Sequence, residues 1–534
     1  MKRHFAATFA AAAAIVCAGL LTAADVDAKT LRWASQGDPQ TADPHSQNEG
    51  LTNMFSEAVH DRLVIRDAAL KIIPGLATSW QQVNNTTWRF TLRRGVKFHD
   101  GSPFTADDVV FTFERASHPN SQLRQYGISV VGKPRKIDDF TVEFVQDKPN
   151  PIMLEHIAAI YVMSKTWSEK NKVTNPLDFK NKEETFASRN ANGTGAWMLV
   201  SREPGVRTVL RRNPDWWGIK AGLAPGNVTE VVYTQVSSDA TRTAALLSGQ
   251  VDFILDPPPQ DVARLENSKE TKVIRGQENR IIFFGFDQHR DELLYSNVKG
   301  KNPFKDLRVR QAVYHAIDIE ALRARTMRGS ALPTGGITPS ILGSHPDAER
   351  RLPFDQARAR ALLTEAGYPN GFEVTLDCPN NRYVNDEEIC IAVAAMLTRI
   401  GISTKVTAMP RATYFPKLEK YDTSFYMLGW GGAVTDAQTT LGPVLRSLDK
   451  ATGQGSFNYG RYSNPKLDAL IDAAATEMNP DKRRETIRQA LLEHNGQVHH
   501  VPLHRQMIPW AMRQNVTAVH RADNVLMFEA VKID

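Results

Sequence analysis

Apolar and polar residues alternate between Thr87 and Arg93: Trp88, Phe90 and Leu92 fall on one face and Arg89, Thr91 and Arg93 on the other, which predicts a strand with one buried side. Asp100-Gly101 predicts a turn. A helix is expected after it, because Thr105 is an N-cap residue with Asp108 three positions on, and Phe104 can staple onto Val109. The period changes to 3.6 in the second half of the chain. Residues 306–317 put Val309, Val313, Ala316 and Ile317 on one face, and residues 355–366 end at Gly367. Residues 386–400 align Ile389, Val393, Met396, Leu397 and Ile400, with acids in the first turn and Gly401 after the last. Short strands are expected at 373–378 and 424–428. Strands mixed with helices of this length predict an α/β protein. Pro257-Pro258-Pro259 reads as a stiff local spacer, and no internal repeat is visible.

Residues 1–28 have the form of a cleaved signal peptide: Lys2 and Arg3 lead an alanine-rich apolar run, and Val26-Asp27-Ala28 offers small residues at a cleavage site. Bulky Val16 before Cys17 argues against lipidation. Cleavage leaves 506 of the 534 residues, more than one core accommodates, so two or three domains are expected. The formal charge of +6 is dispersed, which speaks against a nucleic-acid groove and allows only a mild bias toward anionic ligands. Two cysteines remain, Cys378 and Cys390, and an exported protein makes a disulfide between them the favoured reading over two buried thiols.

The run from Thr87 to Arg115, TWRFTLRRGVKFHDGSPFTADDVVFTFER, resembles the signature of the family 5 extracellular solute-binding proteins of ABC importers, the dipeptide and oligopeptide binders. The resemblance continues through Gly193-Thr-Gly195, Arg212-Asn-Pro-Asp-Trp-Trp217, Leu246–Asp252, Arg308–Ala312, Tyr459–Asn464 and Ile508-Pro-Trp510. It implies a two-lobed periplasmic binding protein, type II-like, with the three-domain cluster C architecture. Domain I would be discontinuous, from residues 29–74, 193–283 and 509–534, with domain II at 75–192 and domain III at 284–508. Hinge crossings are expected near Phe284-Gly285 and Arg505–Pro509. The implied function is a monomeric periplasmic receptor that captures a short peptide or peptide-like anionic solute by hinge closure and delivers it to an inner-membrane permease, with no cofactor.

The candidate ligand residues follow the same matches. Arg382, in the loop CPNNRY, can grip a carboxylate bidentately, as an arginine in the equivalent loop does in dipeptide-binding relatives. Gly429, Gly431 and Gly432 would let a ligand approach the backbone, and Trp430 would offer a flat apolar wall. Ala433 stands where peptide-binding relatives have an aspartate for the ligand's α-amine. Asp436, or Glu49 in the loop Asn48-Glu49-Gly50, would have to replace it, or the ligand lacks a free amine. An amine-less organic acid, an opine-like solute, a metal complex or haem is therefore the alternative ligand.

Serine nucleophile elbows, HExxH and Walker sequences are absent, and no carboxylate pair stands out, so catalysis is not expected. His499, His500 and His504 are spaced so that two of them share a face of an extended segment, but no acid or cysteine cluster accompanies them, and structural histidines are the favoured reading.

Overall fold

The computed structural model describes residues 29–338, 345–431 and 435–534; the expected signal peptide, Gly432 and Ala433 lie outside them. Trp88, Phe90 and Leu92 sit in the strand Thr87–Leu92, with Phe90 and Leu92 buried. This strand pairs with Ala77–Asn84 and Thr141–Val145 in a four-stranded antiparallel sheet. Gly101 takes φ +87°, a turn conformation that glycine adopts without strain. The helix Ala106–Ala116 then begins with the Thr105 N–H donating to Asp108 Oδ2 at 2.9 Å. Phe104, Val109 and Phe113 are buried together with Phe90 and Phe144, forming a core over residues 63–162.

A second, larger sheet carries the rest of the chain. In spatial order it runs Ile402–Met409, Phe372–Pro379, Phe425–Trp430, Thr271–Phe286, His500–Arg513, Phe253–Leu255, Thr30–Ser35, Glu230–Gln235, Arg207–Arg212 and Trp197–Glu203. Phe372–Pro379 and Ile402–Met409 are parallel, joined through the helix Asp386–Thr398, while the central pair Thr271–Phe286 and His500–Arg513 is antiparallel. The helices Leu307–Ala316 and Gln356–Glu365 fall within the segments their periodicity marked. The proline run behaves differently from a spacer. Pro259 opens the helix Pro259–Glu266, a position where a missing N–H costs nothing.

The two central strands serve two cores. Ile274, Ile508, Trp510 and Met512 pack with Leu31, Trp33 and Phe253, whereas Ile282, Phe284, Phe286, Val501 and Leu503 pack with the helices of residues 307–397. The ladder between these strands breaks at Gln277/Ile281, where Gln277 pairs Met507 and Ile281 pairs Arg505. The break lies upstream of Phe284-Gly285, because Ile282 already belongs to the second core. Arg505 spans the gap, donating from Nε to the Glu278 carbonyl at 2.8 Å and from Nη2 to Asn279 Oδ1 at 3.0 Å.

Cys378 and Cys390 form a disulfide that ties the strand Phe372–Pro379 to the helix Asp386–Thr398, enclosing the Arg382 loop. By the loop-closure argument, a bridge spanning 12 residues contributes about 3 kcal/mol. The Cys378→Ala/Cys390→Ala protein should therefore lose roughly that much stability in urea denaturation; an unchanged midpoint would count against a closed bridge.

Candidate functional site

A cavity of ≈ 140 Å³ lies between residues 47–66, 122–126 and 155–161 on one side and Arg382, Tyr383 and residues 428–431 on the other. Asn48, Glu49, Gly50, Arg382, Gly429, Trp430 and Gly431 all line it. Asp436 does not. Its carboxylate is held by Arg483 Nη1 and Nη2 at 2.8 and 2.6 Å, and it also accepts the Gln438 N–H, so the expected amine role is not open to it.

Glu49 is likewise engaged by the protein. It caps the helix Gly50–Val59, with Oε2 accepting the N–H groups of Leu51 and Thr52 at 3.1 and 3.3 Å. Its Oε1 lies 2.6 Å from Arg411 Nη1 and 2.9 Å from Arg382 Nε. Burial works to raise the carboxyl, yet Arg411 and Arg382 hold it below the ordinary glutamate value. The expected amine partner is thus an ionised bridge from the helix start to two arginines across the cavity.

Arg382 is oriented by its own loop. The backbone N–H groups of Arg382 and Tyr383 donate to Asp386 Oδ2 at 2.8 and 2.9 Å, and Asn385 at φ +53° turns the chain into the helix. Burial pushes the Asp386 carboxyl up to about 6. The guanidinium lies 4.8 Å over the Tyr383 ring and beside Gly50, where a Cβ would come within 3.3 Å of Nη2. Although Nε is close to Glu49, its N–H is not aimed at an acceptor, and the buried Nε has no hydrogen bond.

Gly429 and Gly431 are contacted by the protein itself. The Gly429 N–H donates to the Tyr383 hydroxyl at 2.8 Å, and its carbonyl accepts from Arg280 Nη1 at 3.3 Å. A Cβ on Gly431 would lie 2.3 Å from the Asn279 carbonyl oxygen, so glycine here allows two backbones to cross. Trp430 is both wall and core: it lines the cavity, donates from Nε1 to the Thr439 carbonyl at 3.1 Å and packs 4.7 Å from the Phe457 ring.

Several lining groups had no sequence signal. Glu57 pairs with Arg62 and Arg521, Glu155 with Arg66 at 2.5 Å, Asp523 with Arg521, and Arg280 with Glu278 at 2.8 Å. Arg66 and Glu155, and Arg521 and Glu57, come from distant parts of the chain, and only the fold brings them together. Each carboxylate lining the cavity therefore already has an arginine partner. The histidines lie elsewhere: His494 Nε2 and His500 Nδ1 are 2.9 Å apart, and His499 stacks on Tyr462 at 3.8 Å. Among the described residues no group of three or more His, Cys, Asp or Glu side chains is arranged to hold a metal.

This architecture, two cores joined by long paired strands with a polar cavity between them, is that of the periplasmic binding proteins. The DppA periplasmic binding protein of Helicobacter pylori in complex with the peptide STSA superposes with a TM-score of 0.82 at 22% identity, covering 94% of this chain and 98% of that one. AgaA of A. tumefaciens R10 in complex with agropinic acid gives 0.81 at 24%, over 95% and 99%. The dipeptide-binding protein of Escherichia coli K12 is 26% identical over 502 residues, 88% of each chain. Glutathione-binding protein GsiB of Pectobacterium atrosepticum is 28% identical, over 83% of this chain and 82% of its own. Residues 71–452 match the model of the bacterial extracellular solute-binding proteins, family 5. The chain belongs to that family, the solute-binding proteins of ABC importers. No helix among the described residues is long and apolar enough to cross a membrane.

Proposed function

We propose that this protein is the exported, periplasmic receptor of an ABC importer, a non-enzymatic monomer that captures a short peptide or peptide-like anionic solute and presents it to a permease. Arg382 is the anchor for the solute's carboxylate. The observation that carries this reading is the contrast in the cavity: every lining carboxylate is paired with arginine, while Arg382, which lies 2.9 Å from Glu49 through Nε, leaves that buried Nε without a hydrogen bond. A carboxylate arriving there gains charge-assisted, bidentate contacts in a dry setting. The same contrast favours a second form of the reading, in which the solute has no free α-amine. No lining acid is unpaired to receive an ammonium, and agropinic acid in the AgaA complex shows that a solute other than a peptide occupies this fold.

The domain division expected from sequence supports capture by closure. Residues 29–74, 193–283 and 509–534 would form domain I, 75–192 domain II and 284–508 domain III, with Glu49 and Arg382 on opposite lobes. A ligand held from both sides shifts the population toward the closed state.

Thermal-shift screening tests the anchor. A carboxylate-bearing ligand at 100 times its dissociation constant should stabilise the protein by about 2.7 kcal/mol. C-terminally amidated peptides and the Arg382→Ala variant should show no such shift. Equal stabilisation by acids and their amides, or binding that survives Arg382→Ala, would sink the proposal. Comparing free dipeptides with amine-blocked and non-peptide acids then separates its two forms.

A further inference from the structure

Arg411 does not line the cavity, yet it is buried and binds an acid that does. It opens the helix Arg411–Glu419, directly after Pro410. Its backbone N–H donates to Asn381 Oδ1 at 2.7 Å, and its Nε and Nη2 both donate to the Asn381 carbonyl, Nε at 3.0 Å. These bonds set the plane of the guanidinium and leave Nη1 to donate to Glu49 Oε1 at 2.6 Å. Gly37 makes room for the arrangement, since a Cβ there would clash with the Arg411 guanidinium.

Glu49 is fixed from its other side. Its Oε2 accepts the N–H groups of Leu51 and Thr52 at the helix start, so Oε1 stays 2.9 Å from Arg382 Nε. Two guanidiniums thus share one oxygen, but unequally. That of Arg411 is aimed along a hydrogen bond, whereas the Arg382 Nε–H is not. The other acids acting on Arg382 are engaged elsewhere: Glu278 is held by Arg280 at 2.8 Å and accepts from Gln506 Nε2 at 3.0 Å, and Asp256 accepts from Asn524 Nδ2 at 3.1 Å. A carboxylate arriving at Arg382 therefore meets Glu49 as the nearest charge of its own sign, and in a buried site that meeting is costly unless a third group compensates it.

We infer that Arg411 is a positioning residue for the anchor: it takes up the charge of Glu49, so that Arg382 keeps its own positive charge for the solute's carboxylate. The inference rests on the function proposed above. Two guanidiniums and one carboxylate leave a single positive charge in excess, which an acid neutralises and its amide does not. Without Arg411, Glu49 and Arg382 would neutralise each other, and an incoming carboxylate would compete with an acid that is already fixed in place.

Calorimetric titration with alanyl-alanine, N-acetyl-alanyl-alanine and succinate, each compared with its amide, tests this. At least one acid should bind the unmodified protein more tightly than its amide. Arg411→Gln should lower that acid-to-amide preference at least about tenfold, a small share of what facing like charges cost in a buried site, and leave amide binding unchanged. Glu49→Gln/Arg411→Gln should restore the preference, although the side-chain bonds from position 411 to Asn381 remain lost. Glu49→Gln alone should raise the preference above that of the unmodified protein, which keeps the test open if Arg411→Gln does not fold. An undiminished preference in Arg411→Gln, or a Glu49→Gln preference no higher than the original, overturns the inference. So does a double variant as impaired as Arg411→Gln, which would make Arg411 a brace for the Arg382 loop and nothing more. Acids that bind no better than amides, or a preference that survives Arg382→Ala, remove the anchor itself, and the inference falls with it.

Discussion

Replacing Arg115 with leucine is expected to destabilise the protein by about 3–5 kcal/mol, the cost of leaving a buried charge without its partner. Arg115 and Asp43 form an ion pair in which both side chains are 0% exposed. The two guanidinium contacts to Asp43 are 2.8 and 2.6 Å, and Arg115 also donates to the carbonyls of Val173 and Asn175. Asp43 accepts the His45 N–H at 3.0 Å. Burial alone would raise its pKa, but Arg115 outweighs it and holds the carboxyl down at about 2. With leucine at position 115, Asp43 must remain buried and ionised or take up a proton. The Asp43→Leu/Arg115→Leu double variant should be less damaged than the single one, because no lone charge remains. Urea denaturation decides the matter: a loss below about 1 kcal/mol in the single variant would place the pair among ordinary surface contacts. Asp43 also begins the segment that carries Asn48, Glu49 and Gly50, so the single variant should weaken ligand binding as well.

Stability should also fall as the pH drops below about 6.5. Burial, the leading cause in each case, lowers the pKa of His45 to about 3, of His60, His156 and His494 to about 4, of His499 to about 2 and of His504 to about 3, and lowers His500 well below the usual value. The sign follows from proton counting. Below pH 6.5 the unfolded chain protonates these rings while the native one does not, so their stabilisation is complete above that pH and disappears as the pH falls toward the folded values. Buried carboxyls act in the opposite sense: burial raises Asp61 and Asp386 to about 6 and Glu419 and Glu529 to about 7, and it also raises Asp38, Asp108, Asp256, Glu278 and Asp377; their protonated forms favour the fold as pH falls. Between pH 7 and 6 the seven histidines outnumber the four carboxyls raised to about 6 or 7, and each uncompensated histidine costs about 1.4 kcal/mol per pH unit. Urea midpoints at pH 7.5, 6 and 5 should decline in that order; a rise on acidification would show that the carboxyls dominate.

Local signals carried far along this chain because they depend on neighbours in sequence. The alternation at Trp88, Phe90 and Leu92 gave the strand, and Thr105 with Asp108 gave the helix start. The Arg382 loop was placed correctly between strand and helix because both flanks have strong periods of their own. What lay beyond reach was pairing across the fold. Nothing in the neighbourhood of Asp436 announces Arg483, and nothing near Glu49 announces Arg411, so both acids looked available to a ligand. Gly431 carries a further constraint of the same kind: it admits the Asn279–Arg280 backbone, a neighbour about 150 positions away that no local pattern encodes.

The break in the central ladder at Gln277/Ile281 also bears on the mechanics of the proposed capture. The two halves of the molecule share uninterrupted strands, so the closure proposed above would be a bending of a twisted ribbon, with its softest point where main-chain bonds are missing. A flexed ribbon has a stiffness, and here Arg505 supplies part of it by bracing Glu278 and Asn279 from the neighbouring strand. Arg505 does not line the cavity, so loosening that brace would leave the cavity wall unchanged. On the proposed mechanism, what would change is how often the jaws part, and so how long a captured solute stays.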